Sequence, residues 1–253
     1  MTGISAVAPS PGEAGLATPT VREDLKMLAY WISLGAAAGG LGGLVVGGIG
    51  GRLAMFLLRF TSDEAVRGLE SDDGFIIGRF NFLDTLNLLV TTAFLGVLVG
   101  LIVVFGRPFL PKRGMPFAWG VAGATIGAQV FISGDGVDFT RLGPHWLAFS
   151  LFVAIPAVGA GVIAWLVDVY PRFWKKDRKW TGVAAVAALP LIIVFPFAVA
   201  ALLVGAMWLV AIRSAWVRRL PAWMPTRVAA IVVFVAIVVI GITGLLEDAG
   251  DVL

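Results

Sequence analysis

Seven charged or titratable side chains stand near the ends of apolar segments, where they could meet at one membrane surface. This outer rim cluster consists of Arg52, Arg79, Asp84, Asp135, Asp138, Arg141 and His145. Asp135 and Asp138 could offer two carboxylates to a hard cation, because such cations prefer oxygen ligands. The arginines could instead bind an anionic lipid headgroup through bidentate hydrogen bonds. Residues in such positions also snorkel and cap helices, so the cluster by itself defines no reaction.

The sequence contains few of the residues that cofactor binding or enzyme catalysis requires. The chain has no cysteine and one histidine, which excludes a thiolate nucleophile, a Cys-ligated metal and a site built from several histidines. It contains no G-x-S-x-G, H-E-x-x-H or phosphate-binding G-x-x-x-x-G-K-[ST] motif. We therefore expect no cofactor and no metal, and a non-catalytic protein is favoured. An outer-face lipid-modifying enzyme that uses Asp84, Asp135, Asp138 and His145 is the third alternative.

The composition is that of an integral membrane protein. Hydrophobic residues make up 59% of the 253 residues and charged residues 14%, far outside the range of soluble domains. Six apolar segments are long enough to cross the hydrocarbon layer, or nearly so. They cover about 28–51, 85–106, 117–133, 146–167, 182–212 and 228–246. The sequence thus predicts an all-α, polytopic transmembrane helical bundle over 28–246, with a flexible tail at 1–27 and an acidic tail at 247–253.

Glycines recur at every fourth position of the first segment. Gly35, Gly39, Gly43, Gly47 and Gly51 share one helix face, because residues four apart lie one above the other. This glycine zipper predicts a face that another backbone can approach closely. Residues 35–51 resemble the pore-lining helices of bacterial mechanosensitive channels, and that resemblance implies a sliding or pore-lining face. The general pattern of the chain resembles bacterial multi-pass proteins, which implies the cytoplasmic (inner) membrane.

Polar side chains inside the predicted spans are few and uncharged. The strongest of them at depth are Thr91, Thr92, Thr125, Gln129 and Ser150. Groups of this kind usually hydrogen-bond a neighbouring helix. Because ionisable residues mark most ion and proton paths through membranes, their absence argues against an ion-coupled carrier.

Short basic loops orient the chain. Arg107, Lys112 and Arg113 follow the second segment, and five basic residues between 172 and 179 follow the fourth. The positive-inside rule then places these loops and the N-terminus in the cytoplasm, and the loops 61–84 and 134–145 outside. Thr61 and Glu64 have the spacing of a capping box, which predicts a short helix within the loop 61–84.

The fifth segment leaves two topologies open. One long crossing at 182–212, kinked at its prolines, gives six spans but puts Arg213, Arg218, Arg219 and Arg227 outside, against the positive-inside rule. A hairpin about Pro190 and Pro196 gives seven spans and an external C-terminus. We favour the single crossing. The residues Arg213, Trp216, Arg218, Arg219 and Trp223 interleave guanidinium and indole groups, which suits contact with anionic lipid headgroups.

The sequence favours two functions, in the following order. The first is a structural or interaction protein that packs or assembles through the glycine zipper, with itself or with other membrane proteins. The second is a homo-oligomeric channel or uncoupled small-solute transporter, with Thr125 and Gln129 in its pore and the outer rim cluster as a vestibule. Nothing in the basic loops favours nucleic-acid binding.

Overall fold

The computed structural model describes residues 21–62, 81–110, 114–132, 143–173 and 223–252. All regular structure within these ranges is helical. The helices are α1 (Val21–Gly42), π1 (Gly43–Gly50), α2 (Gly51–Thr61), α3 (Phe82–Gly106), α4 (Met115–Ala122), π2 (Gly123–Gly127), α5 (Ala128–Phe131), α6 (His145–Phe173) and α7 (Met224–Val252).

Within the described ranges, four helices are long and apolar enough to cross a membrane. They are Lys26–Thr61, Phe82–Gly106, His145–Pro171 and Met224–Gly250. This confirms the all-helical class and agrees with a membrane protein. The predicted segment 117–133 corresponds to α4, π2 and α5, which together have 17 residues and fall at the short end of membrane helices. The predicted segment 182–212 lies outside the described residues.

The first helix is continuous from Val21 to Thr61, because Gly42, Gly50 and Gly51 all keep right-handed helical angles. It extends well beyond the predicted span 28–51. Its middle part, π1, has the wider turn of a π-helix, in which hydrogen bonds join residues five apart. Four of the eight residues in π1 are glycine. Periodicity did not predict π1, because an apolar π-helical turn and an apolar α-helical turn look alike in sequence.

The second predicted segment, 85–106, begins earlier in the structure, at Phe82. Asp84 lies in the first turn of α3, and Asn81 is the N-cap, since its side chain accepts a hydrogen bond of 3.1 Å from the amide of Leu83. Thr61 is the last residue of α2, and its hydroxyl donates to the carbonyl of Leu58 at 3.2 Å, whereas Glu64, its predicted capping-box partner, lies outside the described residues. The rest of the predicted short helix falls in 63–80, outside the described residues.

The helices α1 and α3 run in opposite directions. Gly35 lies against Gly100, and Gly39 lies against Gly96. The sequence separation therefore shortens toward the connecting loop, as in a helical hairpin.

The helices α4, π2 and α5 form a second antiparallel pair with α6. Gly120 lies against Gly161, and Gly127 lies against Pro156.

The last helix runs parallel to α4 and α5. The ring of Phe234 stacks edge-on against Trp119, with 5.4 Å between their centroids, and Gly241 lies against Thr125. The start of α7 is therefore at the same end of the bundle as the start of α4.

These directions bring basic residues to one end of the bundle, which we call the basic end. The described members are Arg22, Lys26, Arg107, Arg172 and Arg227.

Buried apolar side chains form two main clusters, one in each half of the bundle. The basic-end core contains Leu34, Ala38, Val103, Val104, Leu110, Met115, Trp119, Ala122, Ala160, Ile163, Ala164, Leu166 and Val167. The distal core contains Leu58, Ala128, Ile132 and Ala148. A smaller cluster, Ala36 and Val97, joins α1 to α3.

Candidate functional site

Glycines of the first helix and of α3 meet in a close backbone contact, which we call the glycine seam. A methyl group on Gly39 would overlap the carbonyl oxygen of Gly96 and lie 2.9 Å from Cα of Val97. A methyl group on Gly43 would overlap the carbonyl oxygen of Thr92 and lie 2.9 Å from Cα of Gly96. Since real Cβ atoms essentially never come this close, the two backbones can touch only because these side chains are absent.

The seam is tight on both sides and loosens toward Gly51. On α3, a methyl group on Gly100 would lie 2.9 Å from Cα of Gly39. On the first helix, a methyl group on Gly47 would lie 2.9 Å from Cβ of Thr92, so that contact is with a side chain. At Gly51 the nearest atom, Cδ2 of Leu88, would be at an ordinary 3.9 Å. The seam thus includes four of the five predicted packing glycines and leaves Gly51 with room.

A second close contact joins π2 to α6. A methyl group on Gly123 would overlap the carbonyl oxygen of Pro156 and lie 2.8 Å from Cβ of Ala160. Spacing of small residues at Gly123 and Gly127 in one span and at Ala157 and Gly161 in the next gives the sequence signal for it. Because Pro156 has no amide hydrogen, it also leaves a gap in the hydrogen-bond ladder of α6.

The predicted intramembrane polar residues take different positions. Thr92 lies in the seam and donates to the carbonyl of Leu88 at 2.8 Å, whereas its neighbour Thr91 is exposed. Thr125 is buried in π2 and donates to the carbonyl of Val121 at 3.0 Å.

Gln129 bonds a second helix. Its side-chain amide donates to the backbone carbonyl of Gly241 in α7 at 3.2 Å. This hydrogen bond and the Thr125–Gly241 contact join α7 to π2 and α5.

Three members of the outer rim cluster are described. Arg52 follows the seam, and its Nε and Nη2 atoms are buried. Asp84 is partly buried in the first turn of α3, and His145 is exposed at the start of α6. Arg79, Asp135, Asp138 and Arg141 lie outside the described residues. Within the described part of the chain, no group of three His, Cys, Asp or Glu side chains could hold a metal ion.

Of the predicted lipid-contact residues, only Trp223 is described. It is exposed and directly precedes α7 at the basic end. Arg213, Trp216, Arg218 and Arg219 lie outside the described residues.

The basic end also contains an ion pair that the sequence pattern does not predict. Nη2 of Arg107 lies 2.7 Å from Oδ1 of Asp168, and both side chains are about one quarter exposed (25% and 26%). It joins the end of α3 to α6, and its strength should fall between that of a surface pair and that of a buried pair. The predicted span ended one residue before Asp168. An acidic residue so close to an apolar run calls for a partner, and that was the available signal.

The fold and these contacts define the class: an all-helical protein whose described residues include four helices able to cross a membrane, packed through small residues. No protein-family model, curated protein or solved structure matches the chain.

Proposed function

We propose that the protein is a non-catalytic multi-pass membrane protein, a structural or interaction subunit whose glycine zipper is an internal packing seam. The observation that carries this proposal is the contact of Gly39 and Gly43 with Gly96 of the same chain. Since α3 already fills this face, association with other proteins or with a second copy uses other surfaces. The exposed apolar side chains of α7, including Val232, Val235 and Ile240, suit contact with lipid or with such partners.

The channel or transporter alternative finds less support. It needs the glycine face to line a path for a solute, yet in this chain backbone atoms of α3 occupy that face. It also needs polar groups that face the path. Thr125 is 4% exposed and Gln129 bonds the carbonyl of Gly241, so both take part in helix contacts instead.

A disulfide test distinguishes an internal seam from one between two copies. A Cβ atom on Gly40 would lie 3.4 Å from Cγ2 of Val97, which brings two cysteines there within reach of a disulfide. We expect the double variant Gly40→Cys/Val97→Cys to form an intramolecular disulfide and to migrate as a monomer in non-reducing electrophoresis.

The control is a mixture of the two single variants, which should give no disulfide dimer when co-expressed and oxidised. A strong dimer band from that mixture would mean that α1 and α3 pair between copies and would refute the internal seam. The chain has no native cysteine, so no background substitution is needed.

We further propose that the basic end faces the cytoplasm of a bacterial cell, with the N-terminus inside. The positive-inside rule and the clustering of Arg22, Arg107 and Arg227 at one end support this orientation. Because α7 is parallel to α4, its C-terminal end would then be external. This direction favours the seven-span alternative, in which the arginines before α7 no longer violate the rule.

Cysteine labelling from outside intact cells tests this topology. We expect a membrane-impermeant maleimide to label Thr61→Cys and Gly250→Cys, and to label Met27→Cys and Met224→Cys only after the cells are opened. Met27 and Met224 are exposed side chains of the protein, so lack of label would report the compartment. Six spans predict the reverse for the α7 pair: Met224→Cys labelled from outside and Gly250→Cys protected.

A further inference from the structure

The two cores described above divide the bundle at one level. Residues of the first helix pack into the basic-end core up to Ala38 and into the distal core from Leu58. Residues of α6 divide in the same way, with Ala148 in the distal core and Ala160 in the basic-end core. The helix α7 contributes to both: Phe234 packs on one core and Leu245 on the other.

Every described helix that contributes to both cores carries an irregular or side-chain-free segment between them. The first helix has π1, and α4 is joined to α5 by π2. The helix α6 has Pro156, which faces Gly123 and Gly127 of π2, and α7 has Gly241 and Gly244. Residues Val46 of π1 and Gly159 of α6 face each other, which places these segments at one depth. We call them the glycine layer.

Backbone hydrogen bonds are shared at the edges of this layer. The amide of Gly51 donates to the carbonyls of both Gly47 and Gly48, as it leaves π1. The amide of Gly123 donates to the carbonyls of both Gly120 and Trp119, as it enters π2. Each of these three-centre bonds combines the α-helical (i−4) and the 3₁₀ (i−3) pattern, as is common at helix ends, and the two bonds mark where the regular helices meet the layer.

Packing is close at some positions of the layer, such as Gly48 against Leu89 and Gly123 against Pro156, and looser where π1 meets α2. Gly39 and Gly43 have no space for a methyl group against α3, whereas at Gly50 and Gly51 the nearest atoms would be at 3.8 and 3.9 Å. The helix α3 is therefore tied to the basic-end half through Gly96 and Gly100. The distal half is held together separately, by the distal core and by a hydrogen bond of 3.0 Å from the hydroxyl of Ser62 to the carbonyl of Gly143.

We propose that the glycine layer is a hinge, about which the distal core and its helix ends move as one body relative to the basic-end half. Changes between π- and α-helical hydrogen bonding in π1 and π2 supply the rotation, and the missing amide at Pro156 lets α6 bend at the same level. Hinges of this kind need only a few residues that absorb the change in backbone angles.

Spin-label distances in lipid nanodiscs test the hinge in the full chain. Labels at Leu57→Cys and Phe117→Cys lie in different halves, whereas Met27→Cys with Phe117→Cys and Leu57→Cys with Ser150→Cys each lie within one half; all four residues are exposed. Because hinge motion changes only distances across the layer, we expect a distribution about twofold wider for the cross-layer pair than for either pair within a half.

A glycine substitution locates the motion. Gly50→Ala fits without a steric clash and reduces backbone freedom in π1, so it should narrow the cross-layer distribution. Gly250→Ala, at a position with no atom within 4 Å, is the matched control and should leave that distribution unchanged. Equal widths for all three pairs would overturn the hinge. A wide cross-layer distribution that Gly50→Ala leaves unchanged would overturn its placement in the glycine layer.

Discussion

Replacing Gly39 or Gly43 by alanine is expected to lower the free energy of unfolding by about 1–3 kcal/mol, the usual cost of overpacking. Each methyl group would meet backbone atoms of α3, at Gly96 for Gly39 and at Thr92 for Gly43. Backbone cannot rotate away as a side chain can, so the two helices must separate along the seam. In lipid this separation forfeits the dispersion contacts that hold the pair, because no hydrophobic driving force between helices compensates for them.

Gly51→Ala is the matched control for this prediction. Gly51 lies on the same predicted helix face and in the same continuous helix, but a methyl group there would have its nearest neighbour at 3.9 Å. We expect its unfolding free energy to stay within about 0.5 kcal/mol of the wild type or to rise, since alanine favours helix over glycine. The measurement is reversible unfolding of each variant in mixed micelles with increasing SDS.

An equal loss of unfolding free energy in the alanine variants of Gly39, Gly43 and Gly51 would contradict the internal seam. That outcome would mean that the whole predicted line meets a partner, as an assembly face along the full helix requires. A loss of stability at Gly39 and Gly43 but not at Gly51 is expected from the position of α3, which is close to the first two glycines and farther from the third. The four-residue spacing by itself does not predict this difference.

The contrast between Gly43 and Gly51 also shows what sequence can and cannot predict. Four-residue spacing establishes that the glycines share a face, because helical periodicity is a local property. Where the partner helix diverges from that face depends on the crossing geometry of two segments far apart in sequence. The partner glycines, Gly96 and Gly100, are also four residues apart, but this spacing alone cannot pair them with Gly39 of the same chain rather than with a second copy of the chain.

Other features of the structure are not predicted by the sequence, for different physical reasons. The π-helical turns depend on packing and on a small change in hydrogen bonding, for which amino-acid composition gives little signal. Apolar length alone ends the predicted span at 167 and leaves out Asp168, although an ion pair with Arg107 allows this carboxylate to lie next to the apolar segment. The charge rule oriented the basic loops but left two topologies for the fifth segment. The direction of α7 is fixed by its contacts with Trp119 and Thr125, which are far away in sequence, and it favours the seven-span alternative.

The second large effect concerns the attachment of α7. In the most apolar part of this helix only 6% of the residues are buried, so the attachment of α7 depends strongly on its contact with π2 and α5. A Cβ atom on Gly241 would lie 2.9 Å from Cβ and 3.2 Å from the carbonyl carbon of Thr125, and the same glycine's carbonyl accepts the hydrogen bond from Gln129. We expect Gly241→Val to push α7 away and to break that hydrogen bond, at a cost of about 1–3 kcal/mol in unfolding free energy.

Distance measurements check whether α7 has moved. Labels at Phe117→Cys and Val233→Cys occupy exposed positions on the two parallel helices, and their separation should lengthen and broaden in Gly241→Val. Gly250→Val adds the same side chain to the same helix where no atom lies within 4 Å, and it should change neither the distance nor the stability.

Gln129→Leu separates the two contributions to the attachment of α7, because it removes the hydrogen bond without adding bulk at Gly241. Interhelical hydrogen bonds in membranes average about 0.6 kcal/mol, so its loss should be well below that of Gly241→Val. Equal losses in the two variants would mean that the hydrogen bond, and not the close approach at Gly241, holds α7 in place.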